Sequence, residues 1–317
     1  MTLPPQPIRF SPIYKERVWG GRTLESKFGR QLPDANQPYG ESWEICDREG
    51  DQTYVAGGEF DGLSLAELWT NHRERVFGKR LVEHPSPRFP LLLKILDARA
   101  DLSIQVHPTK KVAAELGGEP KSEAWFIAAT EPGAKIYVGL KQGITRESFL
   151  EAVNEGRTAE VVGVLEPKPG DYIHLPSGRL HAIGAGVLIF EVQQNSDTTY
   201  RIFDWNRMGL DGKPRALHVD EAMRCIDFSD TSAHVGRSDE ESLIDCPAFK
   251  VDRWQFEGPR LCGSSDECAF FAVMNGVVEC EKQTFSEGDF FLLPAGSGDA
   301  QLVAKGKAAT IIRIAIP

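Results

Sequence analysis

Residues 170–186 read GDYIHLPSGRLHAIGAG, a stretch that sets one histidine at the end of a strand-turn-strand unit. Gly170-Asp171 has turn chemistry, Tyr172 to Leu175 is a short β-rich run, and Pro176-Ser177-Gly178 forces a second tight turn before Leu180-His181 resumes a strand. His181 is therefore held by backbone on both sides. Upstream, Gln105-Val106-His107 places two potential ligands two residues apart on an extended segment, so both project from one face. Glu123 follows. Two imidazoles, a carboxylate and a carboxamide oxygen form a mixed nitrogen and oxygen set that suits a divalent metal with positions open to substrate.

The 317 residues exceed the size at which one core usually stops growing, so two domains are expected. Apolar content of 41% with 26% charged residues is that of an ordinary globular chain, which excludes a disordered protein. A formal net charge of −10 argues against a nucleic-acid or anionic-membrane partner. The six cysteines, Cys46, Cys225, Cys246, Cys262, Cys268 and Cys280, contain no CxxC pair and read as reduced thiols of a cytoplasmic protein. The opening MTLPPQPIRFSP has prolines where a signal peptide needs an apolar run, and no window has the length of a membrane span.

Around the central stretch, the paired glycines of Val18-Trp19-Gly20-Gly21 permit a turn or a close backbone approach, and Trp19 either walls a pocket or covers a core edge. Glu41 to Ile45 alternates as a half-buried strand whose carboxylates face water. Ser64-Leu65-Ala66-Glu67 is a capping-box pattern opening a helix expected to run to about Phe77. Lys94 interrupts the apolar run 91–96, either snorkelling at an edge or aimed as a cation into a site. Ser103, Gln105 and His107 share one side of the next strand, which faces a polar cavity or solvent. Lys121 and Glu123 share a face further on. Helices are expected at 109–118, 145–153 and 159–165, and strands at 187–193 and 198–205, with Glu191 and Arg201 on neighbouring antiparallel strands. His218 reads as structural, ahead of a helix capped by Asp220. The polar, acidic segment 230–241 reads as a linker, which gives a first domain over 1–229 and a second, a small β-sandwich, over 230–317.

The strand-turn unit occurs twice. GDYIHLPSGRLHA at 170–182 aligns with GDFFLLPAGSGDA at 288–300, and Asp299 stands where His181 stands in the first copy. The second copy also lacks a Gln-x-His strand. One metal-binding barrel and one sister barrel kept for packing follow from that difference.

The pattern Gly-x5-Pro-x-Gly-x2-His at 170–181 resembles the second motif of the cupin superfamily. With QVHP at 105–108, KSE at 121–123 and FEVQQNSDTTYR at 190–201, the chain resembles the type I mannose-6-phosphate isomerases of the short bacterial form. The resemblance implies a mainly β fold of two cupin-type jelly-roll barrels, the first with helical insertions. It implies one zinc ion per chain held by Gln105, His107, Glu123 and His181, an essential arginine at Arg201, an active-site acid at Glu191, a lysine at Lys121 and a substrate-side serine at Ser103. The spacer from His107 to Glu123 is shorter than in many relatives, and the region after Arg201 lacks the lysine-bearing motif of the long eukaryotic form.

The implied reaction interconverts mannose 6-phosphate and fructose 6-phosphate by a proton shift between C1 and C2, with Glu191 and Lys121 as candidate bases and Arg201 at the reacting oxygens or the phosphate. Trp19, Ser103 and Lys94 are the candidate substrate contacts. The expected partner is a small sugar phosphate, with the protein a monomer or weak homodimer. Two other classes stay open: an Fe(II) cupin oxygenase, against which Gln105, Lys121 and Arg201 argue, and a sugar-phosphate sensor without turnover, against which intact Lys121, Glu191 and Arg201 argue.

Overall fold

Side-chain alternation, period two along every strand, explains why this chain folds into stacked sheets with polar groups on an inner face. The computed structural model describes residues 5–231 and 234–317. The first four residues of the proline-rich opening and residues 232–233 of the expected linker lie outside them. Among the described residues, no helix is long and apolar enough to cross a membrane, and the six cysteines are free thiols.

The chain divides into two compact units: Tyr14–Ser42 with Ile95–Arg237, and the remainder, which joins the N-terminal segment and Trp43–Lys94 to Ser238–Pro317. The division differs from the expected cut at 229/230. It falls within the acidic segment, and residues 43–94, expected in the first domain, group with the C-terminal barrel. Packing gives the reason: Phe89 meets Phe270 at 5.1 Å between ring centroids, Ala295 N–H donates to the Val76 carbonyl at 3.0 Å, and Arg80 donates to the Ile316 carbonyl at 2.6 Å.

The first unit holds a five-stranded antiparallel sheet in the order Val162–Leu165, Ile136–Leu140, His181–Ile183, Ile104–Val106, Tyr200–Phe203. It also holds most of a six-stranded sheet in the order Tyr172–Leu175, Glu123–Thr130, Val187–Gln194, Leu91–Ala98, Ile13–Gly21, Tyr39–Ile45, the last three strands running partly outside the unit. A single core joins them, with Ile136, Val138 and Ile183 from the first sheet packed on Trp125, Ile127, Ile173, Leu175 and Ile189 from the second. Each such fully buried aliphatic contributes about 1.5–3 kcal/mol. The outer face of the five-stranded sheet carries Ile104, Val106, Ala182 and Ile202, which are covered by Phe149, Ala222 and Met223 of the helices Arg146–Asn154 and Val219–Cys225. Residues between these outward positions must therefore point inward.

The turn at Pro176-Ser177-Gly178 does not close a hairpin. It carries the chain from the six-stranded sheet to the five-stranded one, Gly178 taking φ +95°, a left-handed value that favours glycine, while its N–H donates to the His107 carbonyl at 2.9 Å. Gly20 is fixed by close approach instead, since a Cβ there would sit 2.3 Å from the Gly40 nitrogen.

The second unit contains two further sheets. Ser242–Asp245, Lys250–Phe256, Ala309–Ala315, Ala269–Asn275 and Phe290–Leu293 form one, and Pro259–Leu261, Gln301–Ala304, Val277–Cys280 and Gln283–Ser286 the other. Its interior is apolar, built on Phe271, Phe285, Phe291, Leu302 and Ile311, and Asp299 is exposed on a turn. The sister barrel thus carries core where the first carries imidazoles.

Three local expectations are corrected. The segment opened by the Ser64/Glu67 capping box stops at Asn71 and a new helix runs Arg73–Phe77, because Arg73 Nε donates to the Trp69 carbonyl at 2.9 Å in place of a helical N–H. Residues 159–165 form a 3-10 turn, Thr158–Glu160, then the strand Val162–Leu165, with Val162 buried and Val164 exposed in strand alternation. Glu41 and Glu44 are buried, Glu41 accepting from Arg17 Nε at 2.6 Å.

Candidate metal centre and active site

The inner face of the five-stranded sheet carries one polar row. Gln105 is the cross-strand partner of both His181 and Arg201, so a ring, an amide and a guanidinium lie side by side. His107, two residues on, shares the face of Gln105. Opposite, the six-stranded sheet carries two rows: Leu175, Glu123 and Gln193, then Ile173, Trp125 and Glu191. Glu123 is thereby brought to the histidines from the other sheet.

The donor atoms of His107, Glu123 and His181 lie within 4.8 Å of one another, and all three residues are buried. His107 Nδ1 is 2.9 Å from the Thr198 carbonyl and His181 Nδ1 is 2.9 Å from the Arg179 carbonyl. A carbonyl only accepts, so both Nδ1 atoms carry the proton and both Nε2 atoms present a lone pair. Burial, then the charge of Lys121, pushes the His107 pKa down to about 3, and burial lowers that of His181, so both rings are neutral. Glu123 is ionised. Although burial opposes its charge, the ammonium of Lys121 holds its carboxyl well below the usual range.

Two neutral lone pairs thus face an anion. His107 Nε2 lies 3.1 Å from Glu123 Oε1 and His181 Nε2 lies 3.5 Å from Oε2, contacts without hydrogen-bond geometry. Buried acceptors turned on one another are costly unless a cation sits among them. Donors bound to one tetrahedral divalent ion at about 2.0–2.2 Å stand roughly 3.3–3.6 Å apart, a range that holds the 3.5 Å contact of His181, while the 3.1 Å contact of His107 is slightly tighter. Ser103 Oγ donates to Gln105 Oε1 at 3.1 Å, which orients the amide oxygen of the fourth candidate ligand. Lys121 Nζ lies 2.6 Å from Glu123 Oε1.

The chain is similar to known proteins in both sequence and fold. Residues 8–124 match the model of the phosphomannose isomerase type I catalytic domain. The chain is 36% identical over 310 residues to mannose-6-phosphate isomerase ManA of Bacillus subtilis, covering 94% of this chain and 96% of the relative. It belongs to the type I mannose-6-phosphate isomerases. The mannose-6-phosphate isomerase of Streptococcus mutans is 32% identical, covering 94% of this chain and 98% of that one. The crystal structure of the Bacillus subtilis mannose 6-phosphate isomerase superposes with a TM-score of 0.85 at 31% identity, covering 98% of this chain and 99% of that one. The mainly β, cupin-type fold expected from the sequence is therefore the family's own.

Within that family frame, the remaining residues sort by position. Arg201 is half-buried, turned away from the helix-covered face that holds Ile202, and its Nε lacks a hydrogen-bond partner. Burial first, then the neighbouring Arg215, lowers its pKa from the ordinary value. Its backbone is clamped by His218, whose N–H donates to the Arg201 carbonyl at 2.7 Å and whose Nδ1 accepts from the Arg201 N–H at 3.3 Å. His218 is structural, as expected.

Glu191 and Arg201 are not on neighbouring strands. The strand of Glu191 pairs with Glu123–Thr130 and that of Arg201 with Ile104–Val106, so the 195–197 turn crosses between sheets. Trp19 is a core residue of the first unit, packed on Gly40. Lys94 belongs to the C-terminal unit, buried with Nζ 5.1 Å from the centroid of the Trp43 ring. Sequence reasoning missed Trp125 and Gln193. Both lie two residues beyond a residue it selected, Glu123 and Glu191, and period-two alternation alone would have put them on the same face.

Proposed function

We infer that this chain interconverts mannose 6-phosphate and fructose 6-phosphate, using one divalent metal ion, zinc, held by Gln105, His107, Glu123 and His181. The observation that carries the reading is the pair of neutral, buried Nε2 lone pairs turned on the Glu123 carboxylate. When bound, zinc supplies Lewis acidity to the substrate oxygens at C1 and C2. All other work falls to side chains.

A base takes the proton from C2 of the open-chain aldose, and the C–H electron pair becomes the C1–C2 double bond of an enediol as O1 gains a proton. Returning the proton to C1, as O2 gives one up, yields the ketose. Glu191, 3% exposed and on the face of the sheet that holds Glu123, is the first candidate for that proton; Lys121 is the second. Arg201 offers a fixed positive charge to the oxygen that gains electron density or to the phosphate, and its partnerless Nε supports that role. Ser103 holds Gln105 and takes its place on the substrate side.

The same reading makes the protein a cytoplasmic enzyme, a monomer or weak homodimer, acting on a small sugar phosphate with no nucleic-acid or membrane partner. The net charge of −10 supports the last two points, and sedimentation tests the oligomeric state.

A coupled assay of mannose 6-phosphate conversion, run before and after chelation, tests the function. Conversion is expected to vanish on chelation and return with added zinc. A zinc-replete chain that converts no mannose 6-phosphate overturns the proposal.

A further inference from the structure

Trp125 is no metal donor, yet it touches two of the residues assigned above. Its indole Nε1 donates to Glu191 Oε1 at 3.0 Å, across the register pair Glu191 and Trp125. Its ring meets the His181 imidazole edge on, with centroids 5.3 Å apart and planes at 87°. Packing alone does not explain the first of these contacts. The ring fills core between Ile127, Ile173 and Leu175, and phenylalanine would fill much of that space, but the indole N–H is a donor with a single direction and it is spent on a buried carboxylate. In such an interior, a hydrogen bond to a carboxyl oxygen is both strong and orienting.

We propose that Trp125 is a positioning residue for the isomerisation, its N–H fixing the Glu191 carboxylate where a proton is taken from and returned to the sugar carbons. The inference rests on the reading of Glu191 as the proton-transferring acid. Trp125 itself does not touch the reacting atoms. Its contribution acts through Glu191, so it disappears when Glu191 is absent.

That dependence defines the experiment. Trp125→Phe, Glu191→Ala and the double variant are compared as zinc-loaded enzymes by kcat, KM and metal content. Trp125→Phe is expected to lower kcat about tenfold, with KM and zinc unchanged, the size of effect expected for one hydrogen bond to a charged group. In the Glu191→Ala background, the same change is expected to alter kcat less than about twofold, because the two residues act as a unit.

Equal losses in both backgrounds, or a Trp125→Phe enzyme with normal kcat beside a slow Glu191→Ala enzyme, overturn the role of Trp125 alone. A Glu191→Ala enzyme with normal kcat overturns the reading of Glu191 and the proposal with it. Should Trp125→Phe fail to fold, a benzothienylalanine at position 125 keeps the bicyclic shape, lacks the N–H donor and carries the same comparison.

Discussion

Replacing His181 with alanine is expected to strip the metal and lower turnover of mannose 6-phosphate by about a thousandfold or more, while the β-sheet spectrum in circular dichroism stays that of the parent. The loss follows from geometry. His181 supplies one of two neutral Nε2 donors, its tautomer locked by the Arg179 carbonyl at 2.9 Å, and no other described residue adds a histidine to that cluster. Removing a metal worth several kcal/mol of charge stabilisation at the reacting oxygens accounts for the size of the effect, each 1.36 kcal/mol being tenfold. The fold survives because the strand His181–Ile183 is held by its ladder to Ile136–Leu140 and by Ile183 in the core. Metal analysis and the coupled assay check both parts, and zinc retained at one ion per chain would show that the ligand set is wrong.

Arg201→Ala is expected to leave zinc bound and to lose about a hundredfold to a thousandfold in kcat/KM, the scale on which a preorganised charge at a developing oxyanion acts. The metal is spared because Arg201 neighbours Gln105 across the ladder without belonging to the donor cluster. Arginine here is half-buried among other charges, Arg17, Asp197, Asp204 and Arg215, so lysine is a poor substitute for its planar fork. The division between kcat and KM assigns the role: a loss in kcat places the guanidinium at the reacting oxygens, and a rise in KM places it on the phosphate. Near-normal kinetics would move the function elsewhere.

The site was legible in the sequence wherever it depended on short-range rules. Turn glycines, a proline and period-two alternation were enough to put Gln105 and His107 on one face and His181 at the head of a strand. The capping box at Ser64 is read from four residues. What failed depended on which strand pairs with which. Nothing local tells that the Asn195-Ser196-Asp197 turn crosses between sheets, so turn composition alone sets Glu191 and Arg201 side by side although they lie in opposite sheets.

Burial failed in the same way. Glu41 and Glu44 look like solvent-facing strand carboxylates until the tertiary neighbours of Tyr39–Ile45 bury both faces. The grouping of residues 43–94 with the C-terminal barrel rests on distant packing partners such as Phe89 and Phe270, which no composition boundary announces. Trp125 is hidden in the sequence because a tryptophan in an apolar strand reads as core. It is core, and it is also the donor to Glu191.

X-ray absorption at the zinc edge of the metal-loaded protein most directly tests whether these two sheets gather one cation. The account predicts a shell of nitrogen and oxygen at about 2.0–2.2 Å, with two imidazole rings in the outer scattering. A shell containing sulfur near about 2.3 Å, or one without two imidazoles, would contradict it.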